Sequence, residues 1–310
     1  MSRIHDALKK AEQDRIGTTR TPAGAGTMEA PQPPVAAPQI AVTKPAAEPR
    51  AASALLDALT VETLLARCPA SDWKQEAKPL VAAQTGDSQL GSEEFRSLRS
   101  RLYQSRDTAP LRKVLITSPL PQEGKTYVAA NLAHVIVRQR ERRALLIDAD
   151  LRWSRLHSVL GANLSPGLTE YLRGEVDELA VIQRGALENL FFIPGGKSVS
   201  NPAELIANGR LKILLDRLSP LFDWVIIDSP PAVAMSDASL LAEMCDGVLM
   251  VIASGQTPFD VAQKAREQFK KSRLLGVVLN RVEPQSTGSH YYYGYYRGGG
   301  SGKKPKGNHQ

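Results

Sequence analysis

Short apolar segments alternate with longer helical segments across residues 88–285, and this alternation constrains the fold more than any other feature. The apolar segments are almost uninterrupted, as expected of strands that are covered on both faces. Strands that alternate with helices form a parallel sheet with right-handed crossovers. The sequence therefore predicts an α/β fold with a doubly wound, mostly parallel sheet. The predicted strands are KVLIT, ALLID, LFFIP, WVIID, GVLMVI and GVVLN, and the predicted helices include GKTYVAANLAHVIVRQ, NPAELIANGRLKILLDRL, SDASLLAEMC and PFDVAQKAREQFKKS.

The rest of the chain divides by composition into four further regions. Residues 1–16 have apolar positions at helical spacing and predict a short amphipathic helix. Residues 17–50 are so rich in Pro and Ala that they cannot build a core, which predicts an extended linker. Residues 51–87 contain one predicted helix, AASALLDALTVETLLAR, and residues 286–310 form a tail.

Composition and charge exclude several classes of protein. The two cysteines, Cys68 and Cys245, are far apart, which argues against a disulfide framework or a metal cluster. No apolar run approaches the roughly 18 residues of a membrane span, and the N-terminus lacks the apolar core of a signal peptide. We therefore expect a cytoplasmic protein. The net charge of +7 comes partly from the tail, which favours acidic surfaces in general and predicts no specific nucleic-acid partner.

The segment VLITSPLPQEGKTYVAANLA predicts a phosphate-binding loop. A predicted strand ends at Thr117, and the loop closes with Gly124, Lys125 and Thr126, where a helix begins. Backbone N–H groups at such a helix N-terminus cradle phosphates, while the Lys reaches the β- and γ-phosphates and the Thr holds Mg²⁺. The common G-x-x-x-x-G-K-[ST] pattern would place glycine where this chain has Pro119. The sequence thus predicts ATP and Mg²⁺ as cofactors.

Carboxylates follow two other predicted strands. ALLIDADLR places Asp148 and Asp150 at the end of one strand, and WVIIDSPP places Asp228 at the end of another. A lone aspartate at a strand end is commonly the N-cap of the next helix. Here three aspartates lie in a sheet that also carries a phosphate-binding loop. This favours a functional role, in which carboxylates hold the metal ion and deprotonate the acceptor of the phosphate.

The segment HYYYGYYRGGG near the C-terminus holds most of the tyrosines of the chain. Glycines and lysines follow at once, so core packing does not explain it. A low-complexity tail and an RNA-binding aromatic segment are both compatible with this composition, although RNA binding favours more Arg-Gly repeats. The five tyrosines, out of eight in the chain, are Tyr291, Tyr292, Tyr293, Tyr295 and Tyr296.

Together these motifs resemble the bacterial tyrosine kinases, the tyrosine autokinases of capsule and exopolysaccharide loci, in the form without a membrane domain. The resemblance covers roughly residues 88–296. PQEGKT is similar to the Walker A motif of the family, LLIDADLR to its Walker A′ motif and VIIDSPP to its Walker B motif. NPAEL, EEFRSLR and the terminal YYYGYY also match family segments, and the opening SRIHDALKKAE is similar to the leader of an exosortase-associated subgroup.

The resemblance implies the P-loop NTPase fold and a role for each motif. The implied nucleotide contacts are Pro121, Gln122, Glu123, Gly124, Lys125, Thr126, Tyr127 and Asn280. The implied catalytic residues are Lys125, Asp148, Asp150 and Arg152, with Asp148 as the first choice for proton acceptance and Arg152 as an organiser of the loop. The implied Mg²⁺ ligands are Thr126, Asp148 and Asp228. A simple turn residue is an equally good interpretation of Asn280.

The resemblance also implies partners. The tyrosine cluster is the expected autophosphorylation site, and Glu93, Arg96 and Arg99 are the expected contacts of a ring of subunits. The same three residues are also typical of a solvated charged helix face. Further expected partners are a membrane polysaccharide co-polymerase with an activating cytoplasmic segment, which would hold the protein at the inner face of the membrane, and a tyrosine phosphatase.

The chain departs from the family pattern at two places. Gln122 stands where the family has glycine, and Trp153 and Ser154 replace the commoner Arg-Pro. Two other functions remain open on the sequence. An ATPase switch of the partition and division-site type would carry a signature lysine where this chain has Leu120, and it would lack the tyrosine cluster. A non-catalytic nucleotide-binding adaptor is favoured only by Gln122.

Overall fold

The structure is a computed structural model that describes residues 59–68, 70, 73, 80, 89–185 and 187–282. The predicted N-terminal helix, the predicted linker and the tyrosine cluster lie outside the described residues. Within the described part, no helix is both long enough and apolar enough to cross a membrane.

The described residues alternate between strands and helices, as the sequence predicts. The strands are β1 (Lys113–Thr117), β2 (Ala144–Asp148), β3 (Gln183–Arg184), β4 (Leu190–Ile193), β5 (Trp224–Asp228), β6 (Gly247–Ala253) and β7 (Leu274–Asn280). The helices are α1 (Val61–Arg67), α2 (Gln89–Thr108), α3 (Lys125–Val137), α4 (Leu156–Leu160), α5 (Leu168–Arg173), α6 (Pro202–Ala207), α7 (Arg210–Leu218), α8 (Asp237–Ala242) and α9 (Phe259–Gln268), with a 3₁₀ turn at Ser219–Leu221.

The strands form one sheet in the order β3-β4-β2-β5-β1-β6-β7. Every pair is parallel except β3 with β4, so the predicted doubly wound, mostly parallel sheet is confirmed. All six predicted strands are present. The antiparallel β3 was not predicted because two residues are too few to show a period.

Apolar side chains cover both faces of the sheet. Successive residues of a strand point to opposite faces. In β2, Leu145 and Ile147 therefore join one apolar cluster, while Ala144 and Leu146 join the other. This packing explains why the strands read as uninterrupted apolar segments in the sequence.

The prediction of one helix over NPAELIANGRLKILLDRL is wrong. The structure has two helices, α6 and α7, separated at Asn208 and Gly209. Gly209 has φ of 83°, a left-handed conformation that ends a helix. The Asn208 side chain donates to the Leu172 carbonyl and accepts from the Arg210 backbone N–H, which fixes the break.

The helix predicted over residues 51–67 also differs at its start within the described residues. Leu59 and Thr60 are not helical, and α1 begins at Val61. Thr60 is the N-cap, because its side chain accepts a hydrogen bond from the Thr63 backbone N–H. Leu64 is buried in the apolar cluster on one face of the sheet, so α1 packs on the domain.

The carboxyl ends of the parallel strands place the predicted site residues at one edge of the sheet. Thr117 ends β1, Asp148 ends β2, Asp228 ends β5 and Asn280 ends β7. Asp148 and Asp228 are register partners on neighbouring strands. Ligands of open α/β sheets bind at this edge.

Candidate active site

The loop between β1 and α3 has the conformation of a phosphate-binding loop. Gly124 is the N-cap of α3, with φ of 94°, and it makes no side-chain capping bond. A Cβ atom at this position would overlap the Asn280 side-chain nitrogen. Glycine is therefore required both for the backbone angle and for the close approach of β7.

Gln122 occupies the left-handed region, with φ of 64°. This is the position where the family has glycine, so the departure puts an L-residue into a conformation that costs about 1 kcal/mol. Arg281 Nη2 donates to the Gln122 carbonyl at 2.6 Å, which holds the strained peptide in place. The loop therefore keeps its shape without a glycine at Gln122.

Glu123 is buried and braces the loop from inside. Its side chain is 3% exposed and accepts hydrogen bonds from the Leu120 backbone N–H at 2.6 Å and from the Thr257 hydroxyl. Asn280 Nδ2 donates to the Glu123 carbonyl at 2.8 Å. Both side chains thus connect the loop to other parts of the sheet, Glu123 to the segment after β6 and Asn280 to the end of β7. The sequence did not predict this bracing role for either residue.

Lys125 lies among three carboxylates. Its Nζ is 3.0 Å from Asp150 Oδ2, 3.9 Å from Asp228 Oδ1 and 3.4 Å from the Thr126 hydroxyl. We call Lys125, Asp148, Asp150 and Asp228 the charge cluster. All four side chains are buried, and the three carboxylates outnumber the single ammonium group. The structure thus brings these four site residues together, while their roles in binding and catalysis stay predictions.

Burial and mutual repulsion shift the titration of the charge cluster. Burial raises the pKa of Asp148, and the neighbouring Asp228 raises it further. Burial also raises the pKa of Asp228, although Lys125 offsets part of this effect. For Lys125, burial alone would lower the pKa, but Asp228 and Asp150 outweigh it and raise the pKa above its usual value. Lys125 is therefore a fixed positive charge at neutral pH.

Asp148 holds the loop that follows β2. Its Oδ2 accepts from the Ser154 hydroxyl at 2.6 Å and from the backbone N–H groups of Arg155 and Leu156 at 3.0 Å each. Its Oδ1 accepts from the Asp150 backbone N–H at 3.2 Å. Ser154 is the one side-chain donor to Asp148 among the described residues, whereas the other donors are backbone groups.

Arg152 pairs with Asp237 at the start of α8. Arg152 Nε donates to Asp237 Oδ2 at 2.9 Å, and Nη2 donates to Oδ1 at 3.3 Å. This two-pronged pair supports a role for Arg152 in organising the loop. Asp237 is 1% exposed, and its role was missed because nothing in the sequence links it to Arg152.

The residues around Asp228 fit a magnesium ion. Asp228 Oδ1 is buried and has no hydrogen-bond partner among the described residues. The Thr126 hydroxyl hydrogen-bonds to the same carboxylate. In the described part of the chain, no group of three or more His, Cys, Asp or Glu side chains could hold a metal. Mg²⁺ commonly uses only one or two carboxylates together with phosphates and water, so this arrangement suits it.

The remaining predicted residues lie on and around α2. The Tyr127 ring packs edge-on against Phe95, with the ring centroids 6.2 Å apart. Arg96 forms an exposed ion pair with Glu93 at 2.7 Å. Arg99 instead donates to the Val135 carbonyl at 2.6 Å, near the end of α3. Arg99 therefore differs from Glu93 and Arg96: it connects α2 to α3, whereas the other two form an exposed ion pair.

Comparison with known proteins supports one family. A family model described as "AAA domain" matches residues 123–270. The tyrosine-protein kinase YwqD of Bacillus subtilis is 36% identical over 218 residues, which is 70% of this chain and 90% of that protein. The tyrosine-protein kinase ptk of Acinetobacter johnsonii is 33% identical over 217 residues, which is 69% of this chain but only 29% of that protein. The chain therefore spans less than a third of this longer relative.

Solved structures with the same fold agree with these relatives. The chimerical protein CapA2B2 has a TM-score of 0.62 and 30% identity, and the alignment covers 72% of this chain and 99% of that one. The kinase domain of Escherichia coli tyrosine kinase ETK has a TM-score of 0.61 and 28% identity, and the alignment covers 68% of this chain and 84% of that one. Given the P-loop fold, the converging carboxylates and these relatives, the chain belongs to the family of bacterial tyrosine-protein kinases.

Proposed function

We propose that this protein is an ATP-dependent tyrosine autokinase that phosphorylates the C-terminal tyrosine cluster of a neighbouring copy. The observation that carries the proposal is the position of Lys125, which lies at the start of α3 and contacts Asp150 and Asp228. A P-loop lysine in this place is suited to bind the β- and γ-phosphates of ATP. The tail supplies a matching acceptor, because five of the eight tyrosines of the chain lie there.

Nucleotide binding follows from the loop and from Lys125. The N-terminus of α3 offers backbone N–H groups and the positive end of the helix dipole to the phosphates. Lys125 is ion-paired to Asp150, and we propose that it exchanges this carboxylate for phosphate oxygens when nucleotide binds. Pro121 and Gln122 are exposed in this loop, so they are accessible to the nucleotide.

Thr126 and Asp228 would hold Mg²⁺, with Asp148 close by on the neighbouring strand. The ion would neutralise phosphate charge. The charge cluster supports this assignment, because its three carboxylates and one ammonium group leave an excess of negative charge. A divalent cation would balance that excess.

Asp148 is our choice for the proton acceptor. Burial and Asp228 raise its pKa, which makes it a stronger base than an ordinary carboxylate. The Ser154 hydroxyl is the donor that can turn away to admit a tyrosine hydroxyl, because the other three donors are fixed backbone groups. Asp150 supports the same site by orienting Lys125 until nucleotide binds.

In this proposal, the tyrosine that accepts the phosphate belongs to another copy of the chain. The ion pair of Glu93 and Arg96 is exposed on α2, where a second subunit can compete for it. Arg99 joins α2 to α3, so a subunit that docks on α2 is linked to the phosphate-binding loop. The tail has ample length for this transfer, because the ten residues between Asn280 and Tyr291 allow a span of about 35 Å when extended.

The wider role we propose is control of capsular or exopolysaccharide polymerisation and export. Each phosphate adds about −1.5 to −2 charges, so phosphorylation turns the basic tail acidic and weakens its docking. The ring of unphosphorylated subunits would then open. A membrane polysaccharide co-polymerase with an activating segment would hold the protein at the inner face of the membrane, and a tyrosine phosphatase would reset it.

Intact-mass spectrometry tests the proposal. The purified full-length protein is incubated with Mg²⁺ and ATP, and the added phosphates are mapped by peptide analysis. We expect several phosphates on Tyr291–Tyr296. No added phosphate, even with the cytoplasmic segment of a co-polymerase present, would contradict the proposal and favour an ATPase switch or an adaptor.

A further inference from the structure

Trp153 is the one tryptophan of the described residues with most of its side chain in solvent. It is 62% exposed and belongs to neither apolar cluster of the core, whereas Trp224 is fully buried and Trp73 packs against Phe192. Large apolar side chains in water are costly to keep, and tryptophan is enriched where proteins bind partners. Internal packing thus gives no reason for Trp153 to be aromatic.

The backbone around Trp153 is held firmly. Its own N–H donates to Asp150 Oδ1 at 3.1 Å. The residue before it, Arg152, is paired with Asp237, and the residue after it, Ser154, donates to Asp148 at 2.6 Å. Because the backbone is fixed on both sides, binding at the ring would lose little additional conformational entropy.

Trp153 is also close to the position of phosphate transfer. Asp150 accepts from Trp153 with one oxygen and from Lys125 with the other, at 3.0 Å. A single carboxylate therefore separates the Trp153 backbone from the ammonium group that would bind the γ-phosphate. An aromatic ring attached here lies at the rim of the site.

We propose that Trp153 is a specificity-determining residue that stacks on a tyrosine ring of the tail of a second copy of this chain. This inference rests on the proposed function. In the segment YYYGYY, one ring can stack on Trp153 while a neighbouring tyrosine presents its hydroxyl to the site. Arg297, directly after the cluster, adds a cation for the indole face.

The choice of the tail as occupant follows from its chemistry. A stacking surface accepts any aromatic ring, so it suits a cluster in which several tyrosines can exchange places. The charged groups of Asp148, Asp150 and Arg152 are already engaged within the protein. The exposed Arg155 is a cation and selects for no particular side chain of the tail, whose charged groups are basic. An aromatic acceptor is thus the partner that Trp153 fits.

Steady-state kinetics with a tail peptide test the inference. The enzyme is the full-length chain with its five tail tyrosines replaced by Ser, which removes competing rings, and the acceptor is a synthetic peptide of residues 288–298. We expect Trp153→Ala to raise the KM for the peptide about three- to tenfold, with kcat within about twofold of the parent. Trp153→Phe should restore most of the affinity, since it keeps an aromatic face.

A matched control is Ile213→Ala, which removes an apolar side chain of similar exposure, 52%, from α7. This variant should keep the peptide KM of the parent. The affinity for a non-hydrolysable ATP analogue should be unchanged in all variants. An unchanged peptide KM in Trp153→Ala, or an equal loss of nucleotide affinity, would overturn the inference while leaving the kinase intact.

Fluorescence gives a readout that does not depend on catalysis. Acrylamide quenches exposed indoles, and Trp153 is the exposed tryptophan of the described residues. We expect the tail peptide to protect the emission from quenching, and a peptide with all five tyrosines replaced by Ser to have no effect. Protection without phosphate transfer would support the docking site and contradict the proposed kinase, and no protection would overturn the docking site.

Discussion

Two groups of charged side chains in this protein form ion pairs in different surroundings, one buried and the other exposed to water. In the charge cluster, the side chains of Lys125, Asp150 and Asp228 are 11%, 5% and 1% exposed. On α2, the side chains of Arg96 and Glu93 are 50% and 56% exposed, although their ion pair is shorter, at 2.7 Å. Distance alone would rank the pair on α2 as the stronger interaction.

Surroundings reverse that ranking. A buried charge interacts strongly with its neighbours and is costly to leave without a partner, whereas an exposed pair is screened by water and contributes about 0–1 kcal/mol. The charge cluster therefore has shifted pKa values and is a candidate for catalysis. The pair on α2 costs the monomer little to break, so it is available to another subunit.

Removal of the buried cation should have the largest effect. We expect Lys125→Met to reduce tyrosine phosphorylation by a factor of about 10²–10³ or more, because Mg²⁺ and the N-terminus of α3 do not replace the positive charge of Lys125 at the β- and γ-phosphates. It should also lower the free energy of unfolding by about 3–5 kcal/mol, because three buried carboxylates lose their partner. Phosphorylation assays and urea unfolding measure the two effects.

The loss of stability in Lys125→Met should depend on pH. Asp148 and Asp228 have folded pKa values above their unfolded values, so their ionisation destabilises the folded protein as the pH rises. The deficit should therefore be greater at pH 8 than at pH 5. The control is Lys212→Met, which breaks an exposed ion pair with Asp216 at 2.6 Å and should change stability by less than about 1 kcal/mol at either pH.

His134 extends the comparison to a buried base. It is 6% exposed, and burial, with a smaller contribution from Arg138, lowers its pKa to about 4. Because the folded pKa lies below the unfolded value of 6.5, its contribution to stability is present above pH 6.5 and is lost as the pH falls toward 4. The loss should reach about 3 kcal/mol at the low end.

Urea unfolding between pH 7.5 and 4.5 measures this effect as a difference between the wild type and His134→Gln. The variant lacks the titrating ring, so it should be less sensitive to acid. If the free energy of unfolding has the same pH dependence in both proteins, the pKa of His134 is not lowered in the folded state. That result would contradict the burial argument.

Arg96 and Arg99, which both lie on α2, should differ in their contribution to stability. Arg99→Ala removes a charged donor from the Val135 carbonyl and should lower the free energy of unfolding by about 1.5–3 kcal/mol. Arg96→Ala breaks only the exposed pair and should cost less than about 1 kcal/mol. Equal losses in the two variants, measured by urea unfolding, would mean that the structural distinction between them has no energetic consequence.

A smaller change in the free energy of unfolding is expected at two residues that have the same left-handed backbone conformation in different regions of the protein. Gln122 in the phosphate-binding loop has φ of 64°, and Glu141 in a surface turn has φ of 65°. Replacement of either residue by Gly should raise the free energy of unfolding by about 0.5–1 kcal/mol, as left-handed strain is relieved. Only Gln122→Gly should also change the affinity for an ATP analogue, measured by fluorescence titration.

The sequence predicted the parts of the fold that depend on local pattern. KVLIT, ALLID and WVIID matched their strands residue for residue, because buried strands are apolar throughout and end at an acidic or hydroxyl residue. The site was predictable in the same way. Lys125, Asp148 and Asp228 follow strands that end at one edge of the sheet, so their convergence follows from the topology.

Other features depend on contacts between distant segments, which no local pattern reveals. The Arg152–Asp237 pair joins residues 85 positions apart, and Asn280 reaches the Glu123 carbonyl across 157 positions. The break at Gly209 is a different case, because the Asn208-Gly209 dipeptide is a local turn signal. It was missed because the apolar spacing continues from one helix into the next. The contacts of the Glu123 side chain with Leu120 and Thr257 were not predicted, because motif position alone does not show which way a side chain points.

Phosphate transfer between two distinguishable chains tests the central claim most directly. The full-length Lys125→Met protein, with an intact tail, is mixed with Mg²⁺, ATP and an otherwise unchanged chain whose five tail tyrosines are replaced by Ser. The account predicts phosphotyrosine on residues 291–296 of the Lys125→Met chain, which cannot transfer phosphate itself. Wild-type protein that phosphorylates its own tail at a rate independent of its concentration, together with no phosphate on the Lys125→Met chain, would contradict transfer between copies.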